Sequence, residues 1–117
     1  MDNLPGDLSR QCQSLAAEIS DRTRTVAEYE IDYRQSQIDL KRAIAKYTVR
    51  QKGIATPSVL KIMADSDGAV IEAQDKEQQA FAVLTIGKAE VEGMTARFQA
   101  AKKALDMKIE EVRNFRG

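Results

Sequence analysis

The fold is decided by a long stretch without glycine or proline, LSRQCQSLAAEISDRTRTVAEYEIDYRQSQIDLKRAIAKYTVRQK, at residues 8–52. Apolar residues recur along it at alternating steps of four and three, from Leu8 to Tyr47. Two positions in this series, Arg22 and Ser36, are polar. The spacing is typical of helices that pack side by side at a shallow angle, as in a coiled coil. It predicts a first long helix over about residues 8–52.

The ends of this helix and the connector after it carry local signals. Asp7 is expected to be the N-cap, because its carboxylate can accept hydrogen bonds from the first free backbone N–H groups. Gly53 is expected just past the C-terminal end, since glycine adopts the left-handed conformation there without strain. Thr56 followed by Pro57 predicts the N-cap and the first residue of a short helix over about residues 57–64.

A second long helix is predicted over about residues 68–115, where proline is again absent. Its apolar residues follow the same alternating steps from Ala73 to Val112, with few polar exceptions. The turn before it contains Asp65 and Asp67, which we expect to cap this helix rather than to bind a metal ion.

Two glycines interrupt the pattern of the second helix. Gly87 and Gly93 each cost about 1 kcal/mol in helix stability relative to alanine. Because Gly87 falls on the apolar series, a close approach between helices is the favoured explanation for it. A kink or a bound ligand stays open, as does the continuity of the helix.

These elements predict an all-α fold, namely a long antiparallel helical hairpin with a short connector helix, in one helical domain of residues 1–117. A two-helix hairpin buries only one stripe on each helix. Further apolar residues lie beside that stripe in the second helix: Ile71, Phe81, Val83, Ile86 and Ile109. The chain is therefore expected to pack as a homo-oligomer. The predicted oligomer core consists of Phe81, Leu84, Gly87, Val91, Phe98 and Leu105.

The composition excludes several classes of chemistry. The chain has no histidine and one cysteine, Cys12, so it lacks the ligands of common zinc sites, the groups for Ser-His or Cys-His catalysis, and an internal disulfide. We expect no metal, no cofactor and no enzymatic activity. Cys12 falls on the apolar series and is expected to be a small buried residue.

The sequence also lacks the signals of a membrane or secreted protein. No apolar run approaches the ~20 residues of a membrane span. Residues 1–6 have neither a basic segment nor an apolar segment, so they do not resemble a secretory signal. We expect a soluble, cytoplasmic protein that does not associate with a membrane.

The formal net charge is zero, but the charges are unevenly distributed. Residues 41–62 contain six basic residues and no acidic residue. Among them Arg42, Lys46 and Arg50 recur every four residues, which places them on one side of a helix, and Tyr47 lies beside them. Cations neutralise phosphates and an aromatic ring can stack on a base, so the block is a candidate nucleic-acid site. It consists of Lys41, Arg42, Lys46, Tyr47, Arg50, Lys52 and Lys61.

Two other interpretations of this basic block stay open. Cations at the C-terminal end of a helix can be solvated and complement the helix dipole without binding anything. An acidic protein partner could also bind them.

Three stretches together resemble phage recombination mediators of the UvsY type. They read LKRAIAKY at residues 40–47, IMADSD at residues 62–67 and ALDMKI at residues 104–109. The resemblance covers about residues 30–115 and follows the order of a basic helix end with a tyrosine, a short connector and a long second helix.

This resemblance implies a small helical protein that assembles into ring-like homo-oligomers and binds single-stranded DNA. It implies a role in loading a RecA-like recombinase where single-strand-binding protein already covers the strand, in the host cytoplasm if the protein is phage-encoded. By position, Lys41, Arg42 and Lys46 match the basic DNA-binding segment of that family.

The alternative function belongs to another class. A neutral helical hairpin without an active site also suits a structural or scaffolding protein, in virion assembly or as a coiled-coil adaptor. In that case the basic block would bind a protein partner.

Overall fold

The computed structural model describes residues 5–51 and 53–116, and these ranges form three helices without any strand. Helix α1 covers Pro5–Arg50, α2 covers Pro57–Ala64 and α3 covers Gly68–Arg116. The all-α prediction is confirmed. The contacts fall into two compact units. The hairpin unit is Ala27–Ile86, and the terminal unit pairs the part of α1 up to Val26 with the part of α3 from Gly87 onward.

The start of α1 corrects the prediction for Asp7. The helix begins at Pro5, so Asp7 lies in the first turn and is not the N-cap. Proline suits the first helical position because its φ is already helical and its missing N–H would have no helical partner there. The Asp7 carboxylate still lies near the positive end of the helix dipole, where it pairs with Arg10.

The connector follows local signals closely. The last helical residue of α1 is Arg50, and the predicted end at Lys52 lies outside the described residues. Gly53 has a φ of 87°, the left-handed conformation expected of it, and the Ile54 N–H donates to the Gln51 carbonyl at 3.1 Å. This turn reverses the chain after α1.

Helix α2 has the predicted bounds, Pro57–Ala64, and the predicted cap. The Thr56 hydroxyl accepts a hydrogen bond from the Val59 N–H at 3.5 Å. Leu60 and Ala64 are its buried residues. The short helix therefore covers the end of the hairpin unit with one small apolar face.

The start of α3 separates the roles of the two aspartates in the turn. The Asp67 carboxylate accepts hydrogen bonds from the N–H groups of Ala69 and Val70, both at 3.2 Å, and so caps α3 as predicted. Asp65 is instead the C-cap residue of α2, so its predicted role as a cap of α3 was wrong. A carboxylate caps a helix only from the position just before the first turn, which Asp67 alone occupies.

The core of the hairpin unit lies where its three helices meet. Tyr47 from α1, Ala64 from α2 and Val70 from α3 are buried together, with Leu40 and Ala43 partly buried against them. Farther along, α1 and α3 still pack side by side. The rings of Tyr33 and Phe81 have centroids 5.4 Å apart at an interplanar angle of 53°.

The polar residues of the apolar series are accommodated in two ways. In the hairpin unit Ser36 is buried, and its hydroxyl donates to the Tyr33 carbonyl at 2.6 Å. In the terminal unit Arg22 stays exposed and its guanidinium lies 3.6 Å from the Glu90 carboxylate. A buried hydroxyl needs such a partner, whereas an exposed guanidinium keeps its water.

In the terminal unit, Leu8 from α1 and Met94 and Ala101 from α3 are buried. Cys12 is only half-buried, so the prediction of a buried thiol was too strong. Val112, the last member of the predicted apolar series of α3, is exposed. Burial in this unit is thus concentrated on one stripe of each helix.

Helix α3 runs through both interior glycines without a break. Gly87 is buried, whereas nothing lies within 4 Å of a Cβ added at Gly93. Of the predicted oligomer core, Leu84 and Gly87 are buried within the chain and have no surface left for another subunit. They lie on the stripe that the chain itself covers. Val91, Phe98 and Leu105 are half-buried on the same stripe, and Phe81 is exposed.

The five apolar residues predicted to lie beside the buried stripe are exposed, between 42% and 61%. They are Ile71, Phe81, Val83, Ile86 and Ile109.

Candidate nucleic-acid interface

A groove of about 830 Å³ runs along the C-terminal part of α1. Its charged residues are Arg42, Lys46, Arg50 and one acid, Asp39. Its apolar residues are Ala43, Ala45 and Val49 from α1 and Ala69 from α3. The groove thus combines an apolar floor with a mostly cationic rim.

The cationic rim follows from helix geometry. Arg42, Lys46 and Arg50 lie four residues apart, so each is displaced only about 40° around the helix from the one before. Neighbouring members of such a row have Cβ atoms about 5–6 Å apart. All three side chains are exposed. The row therefore presents three cations to solvent along about two helical turns.

The C-terminal member of the row is held by a second element. One guanidinium nitrogen of Arg50 lies 3.9 Å from a carboxylate oxygen of Asp67, the residue that caps α3. Among the described residues, neither Arg42 nor Lys46 forms an ion pair. The charges of Arg42 and Lys46 are therefore free for an anion, and that of Arg50 is partly balanced.

The other predicted site residues are not in this row. Lys41 is exposed but points about 100° around α1 from Arg42, because it is one residue away. Lys61 is exposed on α2. Lys52 lies outside the described residues. The structure thus brings three of the seven predicted residues into one groove.

Tyr47 corrects the prediction of an aromatic base-stacking residue. Its side chain is 8% exposed and packs in the core of the hairpin unit against Ala64 and Val70. A ring stacks on a base only when one face is open. Tyr47 is therefore a core residue and not part of the interface.

No known protein family, curated protein or solved structure matches this chain. What the protein does is therefore inferred from the groove and from the sequence.

Sequence reasoning missed the five other residues of the groove, of which Asp39 and Val49 have the largest side chains. Asp39 lies three residues before Arg42, just outside the basic block, and its carboxylate accepts a hydrogen bond from the Gln35 side-chain amide at 2.9 Å. Val49 is 71% exposed and supplies the largest apolar side chain of the groove. Helical spacing from Arg42 and Lys46 places both on this side of α1, a signal that counting charges alone does not use.

The described residues contain neither a cluster that could hold a metal ion nor a helix that could span a membrane. Across residues 5–51 and 53–116, no group of three or more Cys, Asp or Glu side chains is arranged to hold a metal ion. None of the helices in these ranges combines the length and apolar character required to span a membrane.

Proposed function

We propose that this protein binds single-stranded DNA and acts as a recombination mediator, an accessory protein that helps to load a RecA-like recombinase. The observation that carries the proposal is the exposed row of Arg42, Lys46 and Arg50 along an apolar groove. Side chains of this kind neutralise backbone phosphates and release their counterions, which supplies most of the affinity of nonspecific nucleic-acid binding. The resemblance to UvsY-type mediators supports the rest of the role.

The groove suits a single strand better than a duplex. Its floor is apolar, with Ala43, Val49 and Ala69 beside the cations. Unpaired bases expose apolar faces that such a floor can contact, whereas a duplex keeps them stacked inside. Since Tyr47 is buried, the contacts would be made mainly to phosphates and would carry little sequence information.

The proposed mechanism needs no bond chemistry. Phosphate contacts would hold the strand on the protein, and a strand so held would be less available to single-strand-binding protein. The recombinase would then bind DNA from which single-strand-binding protein has dissociated. The partners of this reaction are single-stranded DNA, single-strand-binding protein and a RecA-like recombinase.

Fluorescence anisotropy with labelled poly-dT, titrated at several salt concentrations, tests the DNA-binding step, and a duplex of equal length is the control. The double variant Arg42→Glu/Lys46→Glu should weaken binding at least about tenfold, because two attractive contacts become repulsive. The matched control is Lys102→Glu/Lys103→Glu, which reverses two exposed lysines of α3 outside the groove and should leave affinity nearly unchanged. Absence of binding by the wild-type chain at low salt would refute the proposal.

A structural or scaffolding role is the second candidate, and one observation favours it. Ile54 and Ile62, at the connector, are 69% and 70% exposed. Exposed apolar patches mark protein interaction sites, and these two isoleucines would supply the apolar surface of such a patch. If poly-dT does not bind while the chain captures a protein partner through Ile54 and Ile62, the scaffold is the better account.

A further inference from the structure

The outer face of α1 in the hairpin unit carries a second apolar row that the chain does not cover. Ile31 is 66% exposed, Ile38 is 44% exposed and Val49 is 71% exposed, and Ala45 between them is also exposed. Ile31, Ile38 and Ala45 follow each other at seven-residue steps, the spacing at which a helix packs along another helix.

This row lies opposite the buried stripe of the same helix. Ile31, Ile38 and Ala45 each precede a residue of the buried series by two positions, and two positions correspond to about 200° around a helix. Those residues are Tyr33 and Leu40, which are half-buried, and Tyr47, which is buried, and all three lie on the core side of the unit. Helix α1 therefore has two apolar faces, and only one has a partner within the chain.

The charges beside this outer row change sign along the helix. Glu28, Asp32 and Asp39 come first on one flank, and all three are exposed. The same flank continues into Arg42, Lys46 and Arg50. Among the described residues, no acid of this flank forms an ion pair.

Along this flank the acids come before the bases. Two copies of the flank therefore attract each other only when the two helices run in opposite directions. In an antiparallel pair related by a two-fold axis, the same flank of both helices lies side by side. With the axis near Ile38, Glu28 and Asp32 of each copy face the bases of the other. Ile31 then lies near Ala45 or Val49 of the other copy. The two Asp39 carboxylates lie close together near the axis and do not face a base. In a parallel pair this flank would lie beside the opposite flank of the other copy, so its acids could not pair with its own bases.

We propose that two copies of the chain pair antiparallel across this outer face of α1, about a two-fold axis near Ile38. The contact would extend over residues 28–50, which is about 33 Å of helix. Apolar packing of Ile31, Ile38 and Val49 provides the attraction. The change from acidic to basic residues along the flank fixes the direction and the register of the pair.

Sedimentation equilibrium of the full chain, without DNA, tests the pairing. Ile38→Asp should weaken self-association at least about tenfold, because it places two like charges at the axis. Met107→Asp is the matched control, since Met107 is an exposed apolar residue of α3 that belongs to neither the outer row of α1 nor the predicted oligomer surface of α3. Circular dichroism checks that each variant keeps its helix content.

Charge reversal tests the proposed pairing more specifically than the Ile38→Asp variant does. Glu28→Lys/Asp32→Lys makes the flank wholly basic at its ends, and Arg42→Glu/Lys46→Glu makes it mostly acidic. Each variant alone should lose self-association, and an equimolar mixture should recover it as mixed pairs. Recovery in the mixture also shows that neither variant lost pairing by failing to fold. A wild-type chain that stays monomeric, or self-association that neither the Ile38→Asp variant nor the charge variants weaken, overturns the proposal.

Cross-linking with a short bismaleimide in a Cys12→Ser background decides the direction. An Ile38→Cys chain should cross-link to itself, because the two residues meet at the axis. Ile31→Cys and Val49→Cys chains should cross-link when mixed but not alone, since two copies of residue 31 are more than about 20 Å apart in an antiparallel pair. Self-cross-linking of the Ile31→Cys chain alone would mean parallel pairing and overturn the proposed geometry.

One consequence rests on the proposed function. Arg42 and Lys46 belong both to the DNA groove and to the paired flank, so a strand and a second copy would compete for them. Poly-dT should then dissociate the wild-type pairs, and Glu28→Lys/Asp32→Lys should bind poly-dT more tightly than wild type. Because the sedimentation and cross-linking arms contain no DNA, failure of DNA binding and failure of pairing are observed separately.

Discussion

At the scale of single residues, Asp67 links the C-terminal end of α1 to the first turn of α3. Its carboxylate caps α3 through the N–H groups of Ala69 and Val70, and it also lies 3.9 Å from the Arg50 guanidinium. The Asp67 carboxylate that caps α3 therefore also pairs with Arg50, the C-terminal cation of the groove.

Replacing Asp67 by alanine should lower the free energy of unfolding by about 1 kcal/mol, because two backbone N–H groups lose their acceptor. Urea denaturation followed by circular dichroism measures this. Asp65→Ala is the control, since Asp65 is exposed and does not cap α3, and it should cost less than about 0.5 kcal/mol. Equal costs for the two variants would contradict the assignment of the cap.

Tyr47 gives the second prediction at this scale. Tyr47→Leu removes the aromatic ring but keeps an apolar side chain in the core. It should lower the free energy of unfolding by about 1–3 kcal/mol, as substitutions in a packed core commonly do. Affinity for poly-dT should not change in the folded protein, because the ring is buried. A loss of DNA affinity without a loss of stability would place Tyr47 in the interface after all.

At the scale of elements, α3 contains two glycines in different surroundings. Gly87 is buried on the stripe of α3 that the chain itself covers, where a small residue leaves room for neighbouring side chains. Gly93 is exposed, and an added Cβ there would meet nothing within 4 Å. Only Gly87 therefore has a packing reason to be glycine.

Gly93→Ala should accordingly raise the free energy of unfolding by about 1 kcal/mol, through the higher helix propensity of alanine. Thermal denaturation compares it with Ala89→Gly, the reverse change at another exposed position of α3. The reverse change should lower stability by a similar amount. A destabilising effect of Gly93→Ala would mean that something covers this position in solution.

At the scale of the whole molecule, a chain with zero net charge can still bind a polyanion because its cations are concentrated. In the proposed DNA complex, the exposed row of Arg42, Lys46 and Arg50 would set the number of phosphates neutralised in the groove. The salt dependence of binding measures that number directly.

With three phosphates neutralised in each chain, log K should fall with log salt concentration with a slope of about −2 for a single strand. Arg42→Gln/Lys46→Gln removes two of these contacts and should reduce the slope to about −0.7. Anisotropy titrations over a range of salt concentrations provide both slopes. A slope that the double variant does not change would place the DNA elsewhere on the protein.

The sequence by itself determined the features that depend on neighbours along the chain. The Thr56 cap with Pro57, the left-handed Gly53 and the Asp67 cap are decided within a few residues, because each satisfies or replaces a local backbone hydrogen bond. The buried stripe was equally predictable, since the four-three spacing of apolar residues places them on one side of a helix whatever the partner is.

The tertiary structure decided which side chains remain available once the helices pack. Tyr47 and Lys46 are adjacent in the chain, yet one is in the core and the other is on the groove. Ala69 completes that groove from α3, and Asp67 reaches Arg50 from the same helix. The four-three spacing already placed Tyr47 on the buried stripe, but the surfaces that complete its burial, from Ala64 and Val70, belong to distant parts of the chain.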